Sequence, residues 1–344
     1  MKIKAADIAR NLNLSKATVS LVLNNKPGVS EKTRRKVFDY IEEVTGEPEK
    51  QKEEKDKQNQ ELENKNIIKV LYIDNHLRFL KNFELDVCPD SLTIFEQEAR
   101  RMGCIVSVTY ASSTKKEDVE RVVREANEEN VAGVILYATE MQPDQFPPFR
   151  AIRKPMVIYD NDLGNEYHCV TFGGVEGIRD CMDYLVSRGC RNIKYMANTQ
   201  DIFNFQQRRA GFRAGLRKNG LPLEKESIYS LGETTSEVCE ATLKYLDTHE
   251  LPDAFIMENY QISIGVMRAL RQKKISVPED ISLLGVDEIP DYLTGDILLT
   301  TLRMEHLERA HVAMLFLEQE MKGAISCKFK SFSTCKIIPG QTVK

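Results

Sequence analysis

The stretch Asp7-Ile-Ala-Arg-Asn-Leu-Asn-Leu-Ser-Lys-Ala-Thr-Val-Ser-Leu-Val-Leu-Asn24 decides how the start of the chain folds. Ile8, Ala9 and Leu12 lie on one helical stripe, and Asn13-Leu14 interrupts it. Ser15 can cap a new helix at Lys16, because its hydroxyl accepts an N–H that the first turn leaves free. On that second helix Val19, Val22 and Leu23 are expected to point inward. Ala17, Ser20, Leu21 and Asn24 are expected on the opposite face, with Lys16 and Thr18 near the N-terminal end. A third helix is expected from Ser30, whose hydroxyl caps it while Glu31 favours the positive end of its dipole. Its buried stripe is Val37, Ile41 and Val44. Two short helices joined by a tight turn, the second with small and polar side chains outward, is the helix-turn-helix plan. Three such helices sharing one small core make a module suited to DNA.

Charge favours that reading over a generic helical hairpin. Residues 1–46 hold nine Lys or Arg against five acids, a net of +4, while the whole chain of 344 residues carries −4. A basic module on an acidic body is what phosphate binding by one domain requires.

The segments Ser15-Lys-Ala-Thr-Val-Ser-Leu-Val-Leu-Asn24, Val29-Ser-Glu-Lys-Thr-Arg34 and Ile41-Glu-Glu closely resemble the start of the lactose-repressor (LacI/GalR) family of bacterial transcription regulators. The resemblance implies that the helix from Lys16 lies in the major groove of a DNA operator. Lys16, Ala17 and Leu21 would then face bases. Thr18, Ser20, Asn24, Ser30 and Thr33 would mainly touch phosphates, and Ser15, the cap, belongs to the same DNA-contacting set. The family commonly has Arg where this chain has Leu21. Arg bonds a guanine edge bidentately, whereas Leu offers apolar contact, for instance to a thymine methyl. The preferred operator is expected to differ accordingly.

A chain of this length suggests two or three domains. The start of the sequence has no apolar run long enough for a signal peptide, and nothing later approaches a membrane span, so a cytoplasmic protein is expected. The eight Cys are scattered without a Cys-x-x-Cys pair. That spacing argues against disulfides or a zinc site.

Residues 47–66 contain one apolar side chain besides Pro48, namely Leu62. Such a segment cannot bury a face and is expected to be solvated, either as a charged, fraying helix or, the favoured reading, as a tether. In the family this stretch is a hinge helix ending in a Leu wedged into the minor groove. Here the matching positions hold Lys52 and Lys55, and a lysine cannot part a base step. Nearly straight operator DNA and loosely tethered modules are expected.

From Ile67 apolar runs alternate with amphipathic helices. Strands are expected at 67–74, 104–110, 131–137, 156–160, 192–196, 228–231, 254–257 and 281–286. Helices are expected near 91–102, 116–129, 175–188, 206–219, 236–249 and 261–274. Strands alternating with helices of ten or more residues call for parallel sheets covered on both faces. Two successive sets point to two lobes with a cleft where the strand C-termini gather. The fold class expected is an all-α helix-turn-helix domain (1–46), a charged linker (47–66) and a two-lobed α/β body (67–344). The body resembles that of the same family, with a periplasmic-binding-protein-like plan, most clearly at Arg208-Arg-Ala-Gly-Phe-Arg-Ala-Gly-Leu216, Val277-Pro-Glu-Asp-Ile-Ser-Leu-Leu-Gly-Val-Asp287 and Leu298-Leu-Thr-Thr-Leu302. It implies a first lobe of about 67–161 and 292–322 and a second of about 162–291 and 323–344.

Through the same resemblance Arg208 matches an effector-binding Arg, able to clamp a hydroxyl pair or a carboxylate. Asp160 matches a second contact position. The family's Asn-Asp pair is Asn259-Tyr260 here, so Tyr260 presents a flat ring with one hydroxyl where an acid would accept bonds from a sugar. Gly173-Gly174 stands where Asp-Asn is expected, and Thr234 where an aromatic platform is expected. A sugar pocket of the usual kind is therefore disfavoured, and a less polar effector or none gains weight.

The five His show no metal spacing, and no nucleophile elbow or phosphate-cradling loop occurs, so neither an enzyme nor a cofactor protein is expected. The expected function is a DNA-binding transcription regulator, read as a repressor. It would act as a homodimer on a palindromic double-stranded DNA operator, with a small-molecule effector in the body. The alternative is a DNA-tethered regulator whose body has lost its ligand and meets a protein partner.

Overall fold

The computed structural model describes residues 5–23, 29–45, 66–74, 91–289, 293 and 297–344. They fall into two compact units, divided between Lys65 and Asn66. Among them no helix is long and apolar enough to cross a membrane.

The first unit holds α1 (Ala5–Asn11), α2 (Lys16–Leu23) and α3 (Glu31–Thr45). Asn13, at a left-handed φ of 56°, turns the chain between α1 and α2. Ser15 Oγ then accepts the Thr18 N–H at 3.0 Å, and Ser30 Oγ accepts the Thr33 N–H at 3.3 Å, so both expected caps form. Ile8, Ala9, Val19, Val22 and Val37 make the core, with Leu12, Leu14, Val29 and Tyr40 packed around it. Leu23 corrects the expected inward face, for it is 44% exposed. Three short helices enclose a core too narrow for a third position on α2, and Leu23 sits at that helix's end and edge. Asn24, the side chains of Ile41 and Val44, and the linker up to Lys65 lie outside the described residues.

The second unit contains two sheets. In chain order its elements are β1 (Asn66–Asp74), α4 (Ser91–Arg101), β2 (Cys104–Ser112), α5 (Lys116–Ala126), β3 (Val131–Tyr137), β4 (Met156–Tyr159), β5 (His168–Phe172), α6 (Gly174–Ser187), β6 (Ile193–Asn198), α7 (Phe203–Lys218), β7 (Ile228–Gly232), α8 (Thr235–Thr248), β8 (Ala254–Met257), α9 (Tyr260–Gln272), β9 (Ser282–Val286), β10 (Thr300–Met304), α10 (His306–Met321), β11 (Lys330–Ser333) and β12 (Cys335–Ile338). The sheet orders are β11-β5-β4-β3-β1-β2 and β12-β10-β9-β8-β6-β7. All pairs are parallel except β10 with β12. Each sheet thus repeats the doubly wound order 2-1-3-4-5, whose ligand crevice lies at the strand C-termini.

The buried strands explain the apolar runs. β1 buries Ile68 through Asp74 without a break, and β4, β5, β8 and β9 are buried along their whole length. Such strands cannot alternate, because helices cover both faces.

The lobe limits read from sequence move at three places. β5 lies inside the first sheet, between β11 and β4, whereas the sequence places 162–291 in the second lobe. β10 lies in the second sheet, whereas the sequence places 292–322 in the first lobe. The tail contributes β11 to the first sheet before β12 joins the second. α10 packs on the first sheet as expected. The crossings are therefore at Gly173, Glu305 and Thr334. Strands of four or five residues carrying His168, Thr171, Thr300 and Thr301 give too weak an apolar run to reveal which sheet they join.

Candidate functional site

On α2 Lys16, Ala17, Ser20 and Leu23 are exposed, with Ser15 beside the first turn, while Thr18 and Leu21 are half-buried. Ser30 is exposed and Thr33 half-buried at the start of α3. The hydroxyls pair locally, Ser15 with Thr18 at 2.8 Å and Ser30 with Thr33 at 2.9 Å. Each helix start therefore presents two linked hydroxyls on an exposed surface. Hydroxyls and the positive helix end are groups that bind phosphate oxygens.

The body's cleft is built where the strands end. Asp160 follows β4 and Asp287 follows β9, which are the matching strands of the two sheets. Both sit at positive φ, 67° and 75°. That left-handed conformation is costly for a residue with a Cβ and is kept where the surroundings fix it. The Asp160 N–H bonds the Val170 carbonyl at 2.8 Å, and the Asp287 N–H bonds that of Leu302 at 3.3 Å. Two acids are thus turned out of their sheets at equivalent places.

Arg208 comes from α7, which lies against α6 because two glycines permit it. A Cβ at Gly211 would stand 2.5 Å from the Val175 carbonyl oxygen, and one at Gly215 would stand 2.5 Å from Met182 Cγ. Arg208 is 4% exposed, so it is not a surface charge at a helix start. Its Nη1 donates to the Glu258 carbonyl at 2.5 Å and its Nη2 lies 3.5 Å from Met304 Sδ. The nearest acid, Asp287, is 4.0 Å away. The rings of Phe172 and Phe205 lie 5.0 and 5.4 Å from the guanidinium carbon, near enough for cation–π attraction.

Asp160 is already engaged. Its two carboxylate oxygens accept from Arg309 Nη1 at 2.6 Å and from the Thr139 hydroxyl at 2.7 Å. Arg309, on α10, is 1% exposed, also stands 5.1 Å from the Phe172 ring, and donates from Nη2 to His306 Nδ1 at 2.8 Å. An arginine can only donate, so His306 is neutral and carries its proton on Nε2. Burial, and then the Arg309 charge, hold the His306 pKa down. Burial also weighs against the Arg309 charge, but Tyr159 and Asp160 outweigh it and hold that pKa up.

The neighbouring arginine serves the framework. Arg209 grips Glu258 side-on, Nε to Oε1 at 2.8 Å and Nη2 to Oε2 at 2.9 Å. Glu258 also accepts the Asn198 N–H at 2.7 Å. Asn204 on α7 donates to the Asp160 carbonyl at 3.3 Å, and Gln142 donates to the Asp201 carbonyl at 2.8 Å, so the lobes are tied across the cleft. Asn259 caps α9, its side chain accepting the Ile262 N–H at 3.0 Å, and Tyr260 opens that helix half-buried. Thr234 caps α8 with a capping box to Glu237. A Cβ at Gly174 would stand 3.1 Å from Gln207 Cβ, so a larger residue there would need α7 to give by a few tenths of an ångström.

Sequence reasoning thus brings Arg208 and Asp160 to one cleft, with Arg309 and His306 between them unforeseen. Asp287 ends the family-like segment Val277–Asp287, where nothing in the sequence alone sets it apart as a site residue. A lone Arg on an amphipathic helix carries no signal that separates a buried cation from a solvated one.

Two family models match the chain. The model described as bacterial regulatory proteins, lacI family, matches residues 4–48. The model described as periplasmic binding protein-like domain matches residues 182–343. The chain is a LacI-family transcription regulator. This LacI-family regulator is therefore a DNA-binding protein and not an enzyme. It is similar to the catabolite control protein A of Priestia megaterium, 24% identical over 297 residues that cover 83% of each chain. The HTH-type transcriptional repressor CytR of Escherichia coli (strain K12) is 23% identical over 342 residues, 96% of this regulator and 94% of its own length. Among solved structures, the Lac repressor dimer bound to operator and the anti-inducer ONPF superposes with a TM-score of 0.67 at 20% identity, covering 99% of both chains. The transcriptional regulator CelR in complex with cellobiose gives 0.70 at 18% identity, covering 99% of this regulator and all of that chain.

Proposed function

We propose that this LacI-family regulator is a cytoplasmic repressor that binds a palindromic operator as a homodimer and responds to a small molecule in the cleft of its body. Residues 1–46 read DNA, 47–66 tether, and 67–344 dimerise and hold the effector. Lys16, Ala17 and Leu21 meet bases. Ser15, Thr18, Ser20, Asn24, Ser30 and Thr33 meet the DNA backbone. In the body Arg208, Asp160 and Tyr260 stand at the effector site. The observation that carries the effector half is Arg208, a buried guanidinium between Phe172 of the first sheet and Met304 of the second, with no carboxylate in hydrogen-bond range among the described residues. The relatives named repressor and the operator-bound dimer support the DNA half.

One observation favours a second reading, in which the body takes no ligand and meets a protein. Asp160, which a ligand would use, is already satisfied by Arg309 and Thr139.

Selection of binding sites from random DNA tests the DNA half. The parent protein should return two inverted half-sites. The Leu21→Arg variant should change the preferred base at one position per half-site, with about 1–3 kcal/mol of discrimination. The same consensus from both proteins would remove Leu21 from the base-reading set.

A further inference from the structure

Arg208 and Arg209 are consecutive, and together they show what is lacking at Arg208. Arg209 offers its Nε/Nη2 edge to a carboxylate, and Glu258 fills it with two bonds of 2.8 and 2.9 Å. The same edge of Arg208 meets no carboxylate. Its Nε has no hydrogen-bond partner among the described residues, and its Nη2 faces a thioether at 3.5 Å. Asp287 stands at 4.0 Å, beyond hydrogen-bond reach, and its backbone is held by the Leu302 carbonyl and the Thr301 hydroxyl. Aromatic rings lie against the guanidinium at 5.0 and 5.4 Å, so a further partner approaches edge-on, in its plane. A buried cation whose one acid stands beyond hydrogen-bond reach is costly, and an edge-on guanidinium matches two carboxylate oxygens.

The other acids cannot supply that acceptor. Asp160 is used by Arg309 and Thr139, and Glu258 by Arg209 and the Asn198 N–H. Among the described residues Asn204 Oδ1 is buried without a hydrogen-bond donor, and the Asp287 carboxylate, partly exposed, has only Arg208 at 4.0 Å. They suit hydroxyl groups.

We propose that the cleft takes a small hydroxy-carboxylic acid, its carboxylate on the Nε/Nη2 edge of Arg208 and its hydroxyls on Asp287 and Asn204. This rests on the reading of the body as effector-binding and narrows the chemical class. A neutral sugar leaves the Arg208 charge unmatched, and an aromatic ligand leaves Asp287 and Asn204 unmatched.

The test uses the full chain and paired probes at about 10 mM with ionic strength matched by sodium chloride. The acids are glycolate, glycerate, gluconate and galacturonate. Their neutral counterparts are ethylene glycol, glycerol, glucose and galactose. At least one acid should raise the melting temperature while its counterpart does not, and calorimetry should then give its Kd. Arg208→Gln should abolish that binding. Should it fail to fold, Arg208→Lys keeps the charge, loses the planar fork, and should weaken binding about tenfold or more. A neutral member stabilising as well as its acid overturns the carboxylate class while leaving an effector site. No shift with any of the eight overturns the proposal. A broad metabolite mixture that also fails to stabilise the chain would overturn the effector reading beneath it.

Discussion

Arg309 and Asp160 form a buried pair at 2.6 Å on one lobe, and each also depends on a second partner, His306 or Thr139. Removing one member leaves an uncompensated charge in a dry site, which costs about 3–5 kcal/mol. Asp160→Asn and Arg309→Met should each destabilise the body by that order. The double variant should cost clearly less than the two together, as urea denaturation of all three would show. Additive costs would mean that the two side chains are not coupled. Residue-level legibility was uneven for a physical reason. Arg208 belongs to a motif whose glycines seat its helix, so sequence marked it. Arg309 and His306 stand three apart on α10 among apolar residues, and only the packing of that helix onto the strand ends turns them into one cluster. Leu23 reads as apolar and inward, yet two valines already fill the space that α2 can cover.

At the scale of elements, a single imidazole joins β5, α10 and Phe329, the residue that leads into β11. His168 is fully buried, its Nδ1 accepting the Phe329 N–H at 3.0 Å and its Nε2 donating to Glu320 at 2.9 Å. Phe316 and Phe329 stack near it at 4.9 and 6.0 Å. Burial lowers its pKa, with the Glu320 charge opposing. The folded imidazole is thus harder to protonate than the unfolded one. Its contribution is complete above the unfolded value of about 6.5 and is lost as the pH falls from there towards the folded pKa. The melting temperature should fall between pH 7.5 and 5 by about 2–4 °C for each ~1 kcal/mol lost. His168→Asn, less stable at neutral pH, should show a shallower slope in the same melts. Equal slopes would take His168 out of the titration. Element order and type were largely legible, because uninterrupted apolar strands and amphipathic helices alternate. The short strands β5, β10, β11 and β12 were not, since their sheet is chosen by long-range pairing that leaves no local pattern.

At the scale of the molecule, two sheets of the same strand order place Asp160 and Asp287 at matching strand ends and Arg208 between them. The charged segment from Glu47 to Lys65 connects this body to the DNA-reading unit in sequence. A single three-helix module makes few DNA contacts, so tight binding requires two modules on one duplex. On the proposal that residues 47–66 act as a tether, in which Lys52 and Lys55 cannot wedge a base step, the modules should tolerate small changes in half-site spacing. The most direct measurement is the binding of the full chain to the selected operator, to one half-site alone, and to operators with the half-sites moved apart by about one to four base pairs, with stoichiometry read by sedimentation. Two chains per full operator are expected, with at least about a hundredfold weaker binding to the half-site and less than about tenfold loss across the moved spacings. One chain per operator, with equal affinity for the half-site, would contradict a dimeric, two-module repressor.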